Sequence, residues 1–368
     1  MGQMDNSNVT DLGVTHCAAP ATHLFLCISL ISCSLLAGCH TPGEPKIRVG
    51  HYPTATWGMR FVGPNDLGPH SYTRHAREGN GIAYTRLAGH IDMTHVRSTA
   101  DWTKYLAEMT FQHLLQGQSY FTFKSNTEPS IYHVHLTYPP NWDRSPGREL
   151  ELRCWSLAVE IAAYTVFQAA TWHEILTWFG HRFLSPFPEF PSAFSWEDTY
   201  SNALGVYLAG QVLRTDSSRY NERFTSALRT ELTKLDIQSK SQAREASNSV
   251  RGLWYRGQLA GFVKIRCRNI DIGLGDGLVS PVLIPMATSQ PGDSGPAYPI
   301  PGLHSLEEQG LSMRLEIEPR EWIKGRILRI VSAEDQARVD RILPALHFPQ
   351  LMDHIRHSAL AQGMIVYD

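Results

Sequence analysis

One stretch of the sequence carries two histidines and a carboxylate at helical spacing. It reads Thr171-Trp172-His173-Glu174-Ile175-Leu176-Thr177-Trp178, and His181 follows it. On an α-helix, His173, Thr177 and His181 share one face because they are spaced at i, i+4 and i+8. Histidine nitrogens bind metal ions, and a carboxylate beside such an ion can take a proton from the attacking water. The stretch therefore indicates metal-assisted hydrolysis, with His173 as a ligand and Glu174 as the general base.

His173-Glu174 resembles the start of the HExxH motif of zinc metallopeptidases, in which two histidines bind zinc and the glutamate is the base. Thr177 stands where the second histidine of that motif would be. Threonine is not a usual zinc ligand. The resemblance is partial, so the remaining ligands must come from elsewhere in the chain.

A second polar group, Glu197-Asp198-Thr199-Tyr200-Ser201-Asn202, opens the next predicted helix. Asp198-x-x-Ser201-Asn202 resembles an ExxSD-like stretch that supplies a third ligand in one metallopeptidase clan. Ser195 and Asp198 also fit a capping box, in which Asp198 would satisfy only the helix N-terminus. Both roles for Asp198 stay open.

A third group is Gly89-His90-Ile91-Asp92-Met93-Thr94-His95-Val96-Arg97. Asp92 and His95 can complete a metal site with His173. Alternatively, Asp92 orients His95 as a base while Arg97 holds an anionic group. A structural ion pair between Asp92 and Arg97 is the third interpretation.

Together, these groups predict a metal-dependent hydrolase. The predicted Zn²⁺ ligands are His173, His95, Asp92 and Asp198, and Glu174 would activate a metal-bound water. Arg97 or Asn202 would stabilise the developing oxyanion. The alternative is a non-catalytic protein in which the same groups form a buried structural network.

The surrounding pattern predicts the elements that must position these groups. Residues 149–179 and 196–213 are apolar on nearly all faces and indicate two central buried helices. Residues 119–137 alternate polar and apolar, as strands do. Ser98 and Asp101 predict a helix over 98–116. We therefore expect an α+β fold, with the two helices packed against antiparallel strands.

The N-terminal region predicts export and lipid attachment. Residues 24–37 form an apolar run that is too short to span a membrane but typical of a secretory signal. The run leads into Leu36-Ala37-Gly38-Cys39, which resembles the lipobox of bacterial lipoproteins. No Lys or Arg precedes Lys46, which suggests that translation starts downstream of Met1.

These features predict a signal peptide over 1–38, a lipidated tether and loops over 39–80, and a single domain over 81–368. The protein would lie in the bacterial cell envelope facing the periplasm. Lipid on Cys39 would anchor it to the membrane, and its substrate would be an unidentified envelope molecule. Beyond Cys39 only Cys154 and Cys267 remain, and both lie in apolar stretches that favour buried thiols over a disulfide.

The composition excludes one class of partner. The chain has 368 residues with 33 Lys and Arg against 35 Asp and Glu, so it lacks the basic excess of a nucleic-acid-binding protein. The blocks GHIDMTHVR, TWHEILTWFG, FSWEDTYSNALG and NIDIGLGDGLVSP, over about residues 80–290, resemble a family of bacterial lipoproteins of unknown function. That resemblance implies no activity.

Overall fold

The structure is a computed structural model. It describes residues 43–73, 77–140, 142, 147–182, 190–215, 217–259, 262–285, 295–334 and 338–368. The predicted signal segment and Cys39 lie outside the described residues. Residues 42–368 group into one compact unit.

Eight helices lie in the described part of the chain, and three of them form its centre. The helices are α1 (Met93–Leu115), α2 (Arg148–Trp178), α3 (Asp198–Thr215), α4 (Tyr220–Lys234), α5 (Lys240–Ser249), α6 (His304–Glu308), α7 (Lys324–Glu334) and α8 (Pro344–Ala361). Helix α1 packs most extensively against α2 and α3. Two central buried helices were expected, and α1 is a third.

The strands form several small sheets. They are β1 (Ile82–Thr85), β2 (Gly89–Asp92), β3 (Tyr120–Lys124), β4 (Ile131–Thr137), β5 (Tyr255–Arg256), β6 (Lys264–Ile265), β7 (Cys267–Asn269), β8 (Leu278–Val279), β9 (Tyr298–Pro299), β10 (Ser312–Glu318) and β11 (Ile365–Tyr367). The largest described sheet is antiparallel with the order β10-β4-β3. Helices together with separate, mostly antiparallel sheets confirm the predicted α+β fold.

Helix α1 begins five residues earlier than the sequence predicted. Its N-cap is Asp92, whose side chain accepts a hydrogen bond from the backbone N–H of Thr94 at 2.7 Å. Ser98 instead lies inside the helix, because Asp92 at the end of β2 already satisfies the first free N–H groups. The earlier start places His95 in the first turn, at the end of α1 that faces α3.

The close approach of α1 and α3 depends on Gly205. A Cβ atom at this position would lie 2.2 Å from Oγ1 of Thr99 and 2.3 Å from the backbone oxygen of Val96. Only glycine fits there without displacing a helix. The contact brings the first turn of α3 towards the first turn of α1, which is where the polar groups gather.

The apolar side chains form two buried clusters. The larger one surrounds α1, α2 and α3, and the smaller one includes Phe61, Trp196 and Tyr255. Cys154 and Cys267 are both buried free thiols, as the apolar pattern predicted. None of the helices in the described part of the chain has the length and apolar composition needed to cross a membrane.

Candidate metal centre

Three of the central elements each contribute one potential metal ligand to the same point. His95 comes from the first turn of α1, Glu174 from the last part of α2, and Asp198 from the first residue of α3. One ligand atom from each of these side chains lies within 4.8 Å of the others. Among the described residues, this is the one group of three or more such side chains that could hold an ion.

The separation of His95 and Asp198 suits two ligands of one ion. Nδ1 of His95 lies 3.4 Å from Oδ1 of Asp198. That distance exceeds the 2.7–3.2 Å typical of an N–H···O hydrogen bond, and the buried Nδ1 has no hydrogen-bond partner among the described residues. Two ligands of a tetrahedral zinc ion stand about 3.3 Å apart, because each bond is about 2.0–2.1 Å long.

Asp198 makes the helix-start contacts that the sequence predicted, and its position leaves the predicted ligand role open. Its Oδ2 accepts hydrogen bonds from the backbone N–H of Ser195 at 2.6 Å and from the Ser195 hydroxyl at 3.1 Å. These contacts close the turn that leads into α3. Its Oδ1 faces His95. One oxygen therefore stabilises the helix start while the other is directed into the candidate site.

Glu174 is held in a similar way. Its Oε2 accepts a hydrogen bond from the backbone N–H of Phe194 at 2.8 Å. Phe194 is fully buried and has a positive φ of 52°, a conformation that side-chain-bearing residues seldom adopt. The carboxylate thus stabilises a strained turn. The same hydrogen bond fixes the position of the carboxylate.

Asp92 lies beside the ligand group rather than within it. Oδ1 accepts from Thr94, and Oδ2 accepts from the backbone N–H of His51 at 3.0 Å. The distance from Oδ2 to Nε2 of His95 is 3.9 Å. Because backbone N–H groups occupy both oxygens, Asp92 is placed to orient the start of α1 and the His95 ring. This geometry does not favour the predicted role of Asp92 as a metal ligand.

The centre contains more buried carboxyl groups than buried basic groups. The carboxyl groups of Asp92, Glu174, Glu197 and Asp198 are all buried. Burial, together with the neighbouring carboxylates, raises the pKa values of Glu197 and Asp198 well above their ordinary range. A bound divalent cation would favour the ionised forms of these groups and so offset the cost of burying them.

Arg268 is a buried cation that interacts electrostatically with Asp198, Glu174 and Glu197. Its guanidinium donates to the backbone oxygens of Pro191, Ala193 and Ile265. Burial lowers the pKa of Arg268 to about 10, although Asp198 and Glu174 act in the opposite direction. Arg268 therefore balances part of the negative charge while it holds the turn before α3 in place.

Ser195 and Glu197 complete the polar surroundings of Asp198. The Ser195 hydroxyl lies 3.0 Å from both carboxylate oxygens of Glu197 and 3.1 Å from Oδ2 of Asp198. The hydroxyl has one proton and so donates to one of these acceptors at a time. A proton on Glu197 would relieve the crowding, which agrees with the raised pKa of that carboxyl.

A family model described as a protein of unknown function, DUF4056, matches residues 64–260, which is more than half of the chain. The chain belongs to this family. No curated protein and no solved structure matches it. His95, Glu174 and Asp198 all lie within the segment matched by DUF4056, whereas His51 and Arg268 lie outside it.

His173 does not join His95 in the structure, contrary to the sequence prediction. Nδ1 of His173 lies 2.8 Å from Oε2 of the buried Glu128. His173 and Glu174 are consecutive on α2, so their side chains point about 100° apart around the helix axis. Glu174 is directed to the His95 group, and His173 is not a member of that group.

Arg97 also lies away from the candidate centre. It stands 3.4 Å from Glu78 and donates to the backbone oxygen of Leu67. Two residues along a helix correspond to a rotation of about 200°, which turns Arg97 away from the side of α1 that carries His95. The predicted oxyanion role of Arg97 does not fit this position, and Asp92 does not pair with it.

Asn202 lies one turn after Asp198 on α3 and is buried, as a residue near the site should be. Its backbone oxygen accepts a hydrogen bond from Thr99 on α1 at 3.3 Å. This contact helps to join α1 to α3. A role of the Asn202 amide towards a substrate stays a prediction.

Sequence reasoning missed three contributors: Arg268, Gly50 and His51. A Cβ atom at Gly50 would lie 3.4 Å from Nε2 of His95 and 3.6 Å from Oδ2 of Asp92, so this segment lines the edge of the centre. The buried Nδ1 of His51 has no hydrogen-bond partner among the described residues. The only available signal for His51 was its residue type, because no motif surrounds it.

Proposed function

We propose that the protein is a metal-dependent hydrolase in which His95, Glu174 and Asp198 hold a divalent cation. The observation that carries this proposal is the convergence of these three side chains from three helices, with Nδ1 of His95 unpartnered and 3.4 Å from Oδ1 of Asp198. One imidazole and two carboxylates form a donor set that suits Zn²⁺. The excess of buried carboxylates supplies the electrostatic reason to bind a cation.

Three protein ligands leave a coordination position for water, as in catalytic zinc sites. A divalent ion held by His95, Glu174 and Asp198 would supply Lewis-acid activation of water at this position. Glu197 is linked to Asp198 through the Ser195 hydroxyl, and burial together with the charge of Asp92 raises the pKa of its carboxyl, which favours a group that can take up a proton. In this proposal Glu174 becomes a ligand, and Glu197 takes the general-base role that the sequence assigned to Glu174.

The non-catalytic alternative also rests on specific contacts. Asp92 caps α1, Asp198 closes the turn before α3, and Glu174 holds Phe194. Each carboxylate therefore joins backbone segments, as a buried structural network would. The two functions differ in their response to metal, because a structural network has no requirement for an ion.

Calorimetric titration of the metal-free full-length chain with Zn²⁺, Mn²⁺ and Mg²⁺ separates these functions. We expect one ion per chain, with Zn²⁺ bound most tightly of the three. Asp198→Asn and Glu174→Gln keep the hydrogen-bond acceptors for Ser195 and Phe194 but remove a charged ligand. They should weaken zinc binding at least about a hundredfold, more than the 10–100-fold typical of an outer-shell partner.

Hydrolysis is tested on the same samples with a panel of chromogenic ester, amide and phosphoester substrates. Activity should appear with added Zn²⁺ and be lost in Glu197→Gln while zinc binding is retained. Tight zinc binding without hydrolysis of any substrate would support the metal site but contradict the hydrolase function. Absence of metal binding in correctly folded protein would favour the structural network.

The location and anchoring of the protein stay part of the proposal. The lipobox-like Cys39 would carry lipid and hold the protein at the envelope membrane, where its substrate would be found. Mass spectrometry of the protein extracted from membranes tests this directly, because Cys39→Ser should remove the mass of the attached lipid.

A further inference from the structure

Two distant segments of the chain fold together into a small lobe. The lobe, as defined here, comprises residues 51–62 and 250–267 without the undescribed 260–261. Trp57 donates its backbone N–H to the oxygen of Gln258 at 2.9 Å, and Ala55 donates to the hydroxyl of Tyr255 at 3.1 Å. Arg251 donates to the backbone oxygens of Ala55 and Gly257. The lobe contributes Phe61, Trp254 and Tyr255, among others, to the smaller apolar cluster.

The lobe presents three large apolar side chains to solvent. Trp57 is 74 % exposed, Leu253 is 64 % exposed and Phe262 is 61 % exposed. Backbone hydrogen bonds hold all three residues: the N–H of Trp57 donates to Gln258, that of Leu253 to Val250, and that of Phe262 to Leu259. The lobe can therefore present these side chains in fixed positions. The hydrogen bond from Trp57 to Gln258 brings together the segments that carry these side chains, and exposed apolar side chains grouped in this way are typical of an interaction surface.

The charge of the lobe has one sign. No Asp or Glu occurs between Glu44 and Asp66 or between Glu245 and Asp271. Arg60, Arg256 and Lys264 are exposed, and none of them forms an ion pair within the described residues. The surface around the exposed apolar groups is thus basic although the whole chain carries a formal net charge of −2.

Two of these cations are placed against each other. Arg256 of β5 is the direct antiparallel partner of Lys264 of β6. Like charges in directly opposite positions destabilise a strand pair. An anionic surface against this hairpin would remove the repulsion, which gives the lobe a reason to prefer an anionic partner.

We propose that this lobe docks on an anionic phospholipid surface. Tryptophan and other amphipathic or apolar side chains favour the interface between headgroups and acyl chains, and basic residues are attracted to anionic headgroups. Trp57 lies 18 positions after Cys39, the predicted lipid-attachment residue. Among the described residues, it is the first exposed aromatic residue after Cys39. The proposal does not depend on the metal centre.

The test uses brominated lipids, which quench tryptophan fluorescence on contact. The full-length chain is mixed with vesicles of phosphatidylcholine containing about 30 % phosphatidylglycerol, a level that gives a negative surface potential. Trp57→Ser should remove a quenched component of the emission. Trp322→Ser is the matched control, because Trp322 is 73 % exposed but lies outside the lobe. Both variants should keep the wild-type unfolding midpoint.

The charge contribution is tested with two triple variants. The first triple variant combines Arg60→Gln, Arg256→Gln and Lys264→Gln. It should weaken binding to the anionic vesicles about fivefold per charge removed. Lys324→Gln with Arg329→Gln and Arg338→Gln removes the same charge elsewhere and should leave Trp57 quenching unchanged. All variants share the N-terminal region, so any membrane attachment by that region is constant.

Several results would overturn the proposal. Equal loss of quenching in Trp57→Ser and Trp322→Ser would show that the lobe makes no special contact. Equal quenching on vesicles of pure phosphatidylcholine would show that anionic lipid is not required. A lobe that serves an acidic protein partner instead would show no Trp57-dependent quenching on any vesicle.

Discussion

Helix α1 separates two buried clusters of charged residues that differ in charge balance. On one side is the balanced cluster, formed by Lys46, Arg48, His70, Glu78, Arg97 and Asp101. On the other side is the candidate metal centre. The balanced cluster sets three cations and a histidine against two carboxylates. The metal centre sets four carboxylates against the buried Arg268 and the histidines His95 and His51.

The two clusters show that burial alone does not decide the direction in which the pKa of a carboxyl group shifts. Burial raises the pKa of a carboxyl in both places. For Glu78, however, hydrogen bonds and charge from Arg48 and Lys46 outweigh burial and lower the pKa to about 2. For Glu197 and Asp198 the neighbouring carboxylates add to the effect of burial. A buried carboxylate therefore indicates a candidate site when the described residues around it supply less positive charge than negative charge.

The largest expected effect comes from breaking the balanced cluster. Glu78→Gln leaves Lys46, Arg48 and Arg97 without the carboxylate that they share, so the free energy of unfolding should fall by about 3–5 kcal/mol. Urea unfolding measures this. Glu108→Gln is the control, since it removes only the exposed pair with Lys104 and should cost about 0.5 kcal/mol or less. Similar losses in both variants would contradict the account of the balanced cluster.

The two clusters should also respond to pH in opposite directions. Glu78 has a folded pKa of about 2 against a usual value of 4.5, so it contributes about 3 kcal/mol above pH 4.5 that is lost as the pH falls towards 2. Glu197 and Asp198 have raised folded pKa values, so their contribution to the stability of the metal-free protein should fall as the pH rises above about 4–5.

Urea unfolding of the metal-free protein across this pH range measures both the loss of stability at acid pH and the decline at higher pH. Added Zn²⁺ should remove the decline on the alkaline side and leave the acid side unchanged. Glu78→Gln should flatten the acid side alone. Burial lowers the pKa of His90 to about 4, which makes stability rise with pH up to about 6.5, so the decline is measured above that pH. A metal-free protein whose stability stays constant above about pH 6.5 would contradict the electrostatic description of the candidate centre.

A smaller effect of opposite sign is expected at Glu197. Glu197→Gln removes one buried charge and keeps an oxygen that accepts from the Ser195 hydroxyl. The metal-free protein should become more stable by about 1 kcal/mol at pH 8, because an unfavourable buried ionisation no longer occurs. Thermal unfolding with and without Zn²⁺ checks the sign. Destabilisation without metal would show that Glu197 is a satisfied structural carboxylate.

The smallest expected effect is at Gly50. An alanine methyl group there would lie at van der Waals distance from His95, so Gly50→Ala should change stability by less than about 0.5 kcal/mol. The methyl group narrows the edge of the centre, and zinc binding should slow with little change in final occupancy. Stopped-flow metal uptake measures the rate. An unchanged rate would show that ions enter by another route.

The sequence predicted the elements well where one pattern ran for many residues. The helix expected over 149–179 is α2 at Arg148–Trp178, because its composition is apolar on nearly every face. Strands were expected within 119–137, where β3 and β4 lie. The start of α1 was wrong because two capping patterns compete there, and Asp92 at the end of a strand took precedence over Ser98.

The candidate centre was only partly predictable. His95, Glu174 and Asp198 were all selected from residue type and spacing, yet His173 and Arg97 were selected on the same grounds and lie elsewhere. The rotation around each helix axis directs His173 away from Glu174 and Arg97 away from His95. Which face of each helix points to the centre depends on the packing of α1, α2 and α3, and the sequence does not show that packing. Arg268 and His51 reach the centre through tertiary contacts that no local pattern encodes.

The most direct test compares two histidines that the sequence did not distinguish. His95 and His173 are both partly exposed helical residues beside a carboxylate. Zinc affinity of the full-length chain should fall at least about a hundredfold in His95→Ala and stay within about threefold of wild type in His173→Ala. Loss of zinc in His173→Ala with retention in His95→Ala would contradict the proposed centre.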